Sequence, residues 1–143
     1  MKIIIPFPTP SVNHLYARRG FRSFLTKEAK ELKEKIHNLV PNNKESKSWT
    51  KDSKFIVIAE VYENWFTQKG DIARKDVANR EKFVTDSIFD KLKVDDKQIF
   101  DYTLRKIQEL NVGKYKTVVT IVELKYPKKK VFYHTFLVKE SKK

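Results

Sequence analysis

Two hydrophobic periods alternate along this chain, and each predicts a different kind of element. Apolar residues crowd into residues 2–6 (K-I-I-I-P), a run that suits a short buried strand and is too brief for a helix. Pro6, Pro8 and Pro10 follow at every second position, removing amide donors and holding the segment extended. Arg18, Arg19, Gly20 and Arg22 read as an exposed basic loop. There the period changes. Thr26 stands where an N-cap belongs, and Ala29, Leu32, Ile36, Leu39 and Val40 recur at helical spacing as far as Pro41. Residues 42–53 are polar and predict a surface loop, with Trp49 to pin it down.

Residues 54–63 (K-F-I-V-I-A-E-V-Y-E) are rich in β-branched and aromatic side chains and predict a strand. A loop containing Gly70 fills residues 65–75, and a helix is expected over about 77–92 with Asp76 as its N-cap. Stepping 100° per residue puts Val77, Val84, Ile88 and Leu92 on one face of that helix. Asn79, Lys82, Asp86 and Asp90 fall on the opposite one, expected to face outward. Residues 99–110 and 115–125 read as two strands joined in a hairpin through N-V-G-K, with Gly113 supplying a positive φ. P-K-K-K breaks the chain before a last strand at residues 131–138 and a basic tail at about 139–143. The expected fold is α+β, one domain over residues 1–143: a small, mostly antiparallel sheet with two helices packed on it. No internal repeat or linker divides it.

Composition narrows the function. The 143 residues are 40% hydrophobic and 13% aromatic, enough to bury one core. There is no cysteine, which excludes disulfides and cysteine-ligated zinc. No run approaches the roughly 18 apolar residues of a membrane span, and the N-terminal apolar run is too short for a signal peptide; a cytoplasmic protein with no membrane partner is expected. Thirty-one Lys and Arg stand against eighteen Asp and Glu, for a net charge of +13. Such an excess favours polyanions through counterion release. No G-x-x-x-x-G-K-[ST] is present, so nucleoside triphosphate use is not indicated.

Against that basic background, aspartates gather in one stretch. K-D-V-A-N-R-E-K at residues 75–82 carries Asp76, Asn79 and Lys82, Asp86 follows, and V-D-D-K-Q at residues 94–98 carries Asp95 and Asp96. Hard divalent cations prefer carboxylate oxygens, and a phosphodiester hydrolase uses such ions on the scissile phosphate. A lysine such as Lys82 could stabilise the charge that develops there. A solvated helix face with a capping aspartate and an Asp-Asp turn accounts for the same residues, so spacing alone leaves both readings open.

The order of the motifs adds a resemblance. P-x-P-S-V-N-H-L-Y near the N-terminus, then D-V-A-N-R-E-K, Asp86 and V-D-D-K-Q-I, resemble the RusA family of Holliday junction resolvases from about Ile3 to Val122. That family joins P-S-x-N-x-x-Y to D-x-D-N-x-x-K and a later D-D-x-Q. The resemblance implies a homodimeric endonuclease, bacterial or phage-encoded, that uses magnesium (or manganese) to nick opposed strands of four-way DNA junctions in recombination and repair. It puts the catalytic residues at Asp76, Lys82 and Asp96, with Asp76 and Asp96 as metal ligands. Asn13 and Asn79 match the motif asparagines, Asp86 a further acid, and Asp95 the neighbour of a ligand.

One position departs from the pattern. The second aspartate of D-x-D-N falls at Ala78, whose methyl group cannot ligate a metal. An engineered Asp→Ala knock-out is the preferred explanation; a naturally inactive junction binder and a shifted site using Asp71 or Glu81 stand beside it. Asn13, His14, Tyr16, Arg18, Arg19 and Arg22 are the candidate DNA contacts, because arginines interleaved with aromatic rings suit phosphates and exposed bases. A non-catalytic nucleic-acid-binding protein is the alternative function, and an RNA-associated protein a third.

Overall fold

A computed structural model describes residues 1–11 and 15–125 of the chain. The candidate contacts Asn13 and His14, the predicted strand at 131–138 and the basic tail at 139–143 lie outside the described residues.

The strand β1 spans Lys2–Ile5, and a hairpin follows in β2 (Tyr16–Arg19) and β3 (Arg22–Leu25). Helix α1 (Lys27–Leu39), a single turn α2 (Lys44–Lys47), strand β4 (Lys54–Glu63), helix α3 (Val77–Leu92), strand β5 (Ile99–Gln108) and strand β6 (Lys116–Leu124) complete the order. The basic segment around Gly20, expected as a loop, is thus two paired strands with a tight turn. The main sheet runs β1-β6-β4-β5, and β2-β3 form a separate two-stranded sheet. The fold is α+β, as the periods predicted.

Strand β4 is the centre of the sheet. Its alternate residues Phe55, Val57, Ala59 and Val61 are buried, which is what a strand covered by helices on one face requires. It pairs antiparallel with β6 and parallel with β5. A parallel neighbour needs a crossover connection, and α3 supplies it. This overturns the expected hairpin between residues 99–110 and 115–125. The two strands lie on opposite edges of β4 instead of on each other, because β4 offers two unsatisfied rows of amides and carbonyls. Gly113 sits in a tight turn over Val112–Lys114 and does not take a positive φ; that conformation belongs to Gly20, Gly70 and Lys93.

The two long helices cover one face. Thr26 caps α1 by accepting from the Ala29 amide at 3.2 Å, and Ala29 and Ile36 turn inward. From α3, Phe83, Val84, Ile88 and Phe89 meet Ile3, Ile5, Phe55, Val57, Val119 and Ile121 of the sheet. Each such side chain taken out of water contributes about 1.5–3 kcal/mol. Trp49 does pin its segment, its ring meeting Phe55 edge-on with centroids 4.7 Å apart. Among the described residues no helix is long and apolar enough to cross a membrane.

Candidate active site

The crossover from β4 to β5 lays α3 beside β5 and opens a cleft of about 370 Å³ between them. Glu81, Lys82, Thr85, Asp86 and Phe89 line it from the helix, following the three- and four-residue steps that keep side chains on one face. Ile99, Tyr102 and Leu104 line it from the strand, and Asp96 from the turn between. A bulge helps to aim the strand residues. Phe55 pairs with Ile99 but Ile56 with Asp101, so Phe100 is an extra residue. Without it, Ile99 would share a face with Asp101; with it, Ile99 joins Tyr102 and Leu104.

The D-D-K-Q motif divides its labour. Asp95 caps the turn Asp96–Gln98, its Oδ1 accepting from the Lys97 amide at 3.0 Å, while Gln98 Oε1 accepts from the Asp95 amide at 2.9 Å. The Gln98 amide donates onward to the carbonyls of Thr50 and Ser53, both at 3.0 Å. With its neighbours tied to the backbone, Asp96 is the acid of this turn that lines the cleft.

Lys82 and Asp86 form an i,i+4 pair at 3.3 Å. Asp86 raises the Lys82 pKa, with further contributions from Asp96 and Glu81, so the ammonium stays charged. Glu81 is the buried acid of the cleft, only 6% exposed. Its Oε2 accepts from the Tyr102 hydroxyl at 2.6 Å and from Thr85 Oγ1 at 2.8 Å. Burial raises the Glu81 pKa, a shift that the hydrogen bonds from Tyr102 and Thr85 partly offset. Burial, and then the bond to Glu81, push the Tyr102 phenol upward too.

Asp76 caps α3, its Oδ1 accepting from the Ala78 amide at 2.9 Å, and it is exposed. It does not line the cleft. Ala78, by contrast, shares the cleft-facing side of α3, since Glu81, Lys82 and Thr85 follow it by three, four and seven residues. Asn79 is half-buried. Asp90, exposed as expected of the outward polar stripe, also ties the helices: it pairs with Lys33 at 3.1 Å and lies 3.6 Å from His37 of α1.

The N-terminal motif is fastened to the same helix. Thr9 Oγ1 donates to the Arg80 carbonyl at 2.9 Å, and Arg80 Nη1 to the Thr9 carbonyl at 3.3 Å. Glu63, buried at the end of β4, holds Lys75 at 3.4 Å and Arg80 at 3.7 Å. The segment carrying Pro8 and Pro10 therefore meets α3 at its start. Tyr16, Arg18, Arg19 and Arg22 lie on the β2–β3 hairpin.

The acids of this region are hard oxygen donors of the kind magnesium accepts. As they stand they do not make a metal centre. Among the described residues no three His, Cys, Asp or Glu side chains gather closely enough to hold an ion. Asp86 is engaged by Lys82, Glu81 by Thr85 and Tyr102, and position 78 offers a methyl group.

Sequence reasoning gave Glu81 no more than a substitute's place and passed over Thr85 and Tyr102. The signal for Glu81 was its place beside Lys82 on the Ala78 face of the helix. Tyr102 could be found only once β5 was known to lie alongside.

Comparison with known families matches residues 6–122 to the family described as endodeoxyribonuclease RusA. No curated protein gave a significant match. RusA nucleases are in general divalent-metal dependent and their family function is Holliday junction resolution. Motif order and the extent of the match lead to one conclusion: the chain belongs to the RusA endodeoxyribonuclease family.

Proposed function

We propose that this chain recognises four-way DNA junctions as a structure-selective endonuclease of the resolvase type, impaired in cleavage by the alanine at position 78. One observation carries the reading. Lys82 and Asp96 line a single cleft, and Ala78 stands on the same helix face one turn before Lys82. A phosphodiester backbone entering there meets an ammonium whose charged form Asp86 favours. As water adds to phosphorus and the leaving oxygen departs, Lys82 stabilises the negative charge gathering on the phosphoryl oxygens. Asp86 holds that ammonium in place, and Asp95 and Gln98 fix the turn that presents Asp96.

Asp96 in the cleft and Asp76, which caps α3 outside the cleft lining, remain the proposed metal carboxylates, for magnesium with manganese as the alternative, once an acid at position 78 completes the set. Asn79 supports them from the first turn of α3. A homodimer acting in the cytoplasm on recombination intermediates is part of the same proposal, since two opposed strands must be cut by two equivalent sites.

The reading is tested by gel shift with a four-way junction and a duplex of equal length across a salt series. Strong preference for the junction at every salt concentration supports it. Equal affinities that fall together as salt rises identify a generic basic binder, and preference for RNA identifies an RNA-associated protein.

A further inference from the structure

The β2–β3 hairpin has three features that do nothing for the fold. Arg19 and Arg22 face each other directly across the strands, and like charges in opposed positions destabilise a hairpin. No carboxylate among the described residues pairs with Arg18, Arg19 or Arg22. Phe21 occupies the two-residue turn beside Gly20, whose φ of 65° lets the chain reverse there, and its ring is wholly exposed at 110%.

Register sets how these groups are shared out. Cross-strand pairs alternate between the two sides of a hairpin, so Arg19, Arg22, Ala17 and Phe24 share one side. Arg18, Ser23, Tyr16 and Leu25 share the other. Leu25 packs against the core, while Arg19, Arg22 and Phe24 on the other side are exposed. Phe24 is 47% exposed. Two exposed arginines at directly opposed positions, with a bare ring at the tip beyond them, suit an anion between the first and a flat apolar surface against the second.

We propose that this hairpin is an insertion element for branched DNA, in which Arg19 and Arg22 grip one backbone phosphate and Phe21 stacks on a base uncovered at the branch point. The assignment rests on the junction reading above and adds to it the part of the protein that engages the junction's centre. A phenyl ring carries no donor or acceptor with which to read a base edge. Its ways of burying area on DNA are stacking on an open base face or wedging between base steps. Continuous duplex covers those faces, whereas a branch point leaves them accessible. Charge complementarity favours nucleic acid over an apolar protein surface, which would leave the paired guanidiniums without a counter-charge.

The full chain is titrated into a four-way junction carrying 2-aminopurine at the branch point, and into matched duplex. With the parent chain, fluorescence falls as the ring covers the exposed base. Phe21→Ala, at a position that packs against nothing, weakens junction binding roughly tenfold, leaves duplex binding unchanged and abolishes the fluorescence fall; Phe21→Trp restores both. Arg19→Gln with Arg22→Gln weakens junction and duplex alike and flattens the salt dependence. Junction affinity and fluorescence in Phe21→Ala equal to the parent's overturn the hairpin assignment and leave the junction reading standing. So does a changed oligomeric state of Phe21→Ala with the DNA signals intact. A parent chain without junction preference overturns both.

Discussion

The Tyr102 hydroxyl donates to Glu81 Oε2 across 2.6 Å, tying the edge strand β5 to the crossover helix α3 at the floor of the cleft. The bond explains how a nearly buried glutamate is tolerated in a helix face that also carries Phe89. Thr85 supplies a second donor from one turn further along the same helix, so the acceptor oxygen is satisfied from both walls.

Removing that donor tests whether the pair is structural. Tyr102→Phe keeps the ring and leaves Glu81 with Thr85 alone, which costs about 1–3 kcal/mol for a buried acceptor losing a partner. Urea unfolding measures it, at unchanged slope. A loss below about 0.5 kcal/mol, typical of an ordinary surface substitution, contradicts the bond.

Glu81 also gives stability a pH dependence whose sign is fixed. Its folded pKa is raised above the ordinary 4.5 by burial, so the folded state holds the proton more tightly than the unfolded chain. The contribution is complete below the ordinary value and is lost as pH climbs through the raised one. Glu81→Gln, which cannot ionise, therefore gains on the parent as pH rises from 4.5 toward neutrality. Paired unfolding curves at several pH values check this, and a stability difference that stays flat or moves the other way sinks it.

The tandem aspartates separate by function. Asp95→Ala removes the cap of the turn and costs about 1 kcal/mol, whereas Asp96→Ala leaves stability within about 0.5 kcal/mol because its side chain is exposed. Thermal melts of the two variants distinguish them. Equal losses would mean that Asp96, too, serves the turn.

Much of this was legible in the chain and some was not, for physical reasons. Helix α3 announced itself through Val84 and Ile88 on one side and Lys82 and Asp86 on the other, because helical spacing fixes which residues are neighbours. Asp76 declared itself a cap by preceding that pattern. The partner of β5 was hidden. Local turn residues in N-V-G-K favoured a hairpin, but pairing is decided by which edges a distant strand leaves open, and β4 left open two. Asp90 does face solvent, but its tie to α1 was hidden because its partners, Lys33 and His37, sit on a helix some fifty residues earlier. The Phe100 bulge, which helps turn Tyr102 toward Glu81, depends on β4–β5 register and has no trace in composition.

The central claim is that a single methyl group at position 78 separates this cleft from catalysis. The direct measurement compares the chain with its Ala78→Asp variant on an end-labelled four-way junction over a range of magnesium and manganese concentrations, with Ala78→Asp/Lys82→Ala as the control. The account predicts metal-dependent nicks on opposed strands for Ala78→Asp, about a hundredfold or more above the parent, the scale of one transition-state-stabilising interaction, here supplied by the metal that the added carboxylate would help to hold, and their loss in the control. An Ala78→Asp protein that binds the junction and leaves it uncut at every metal concentration contradicts it.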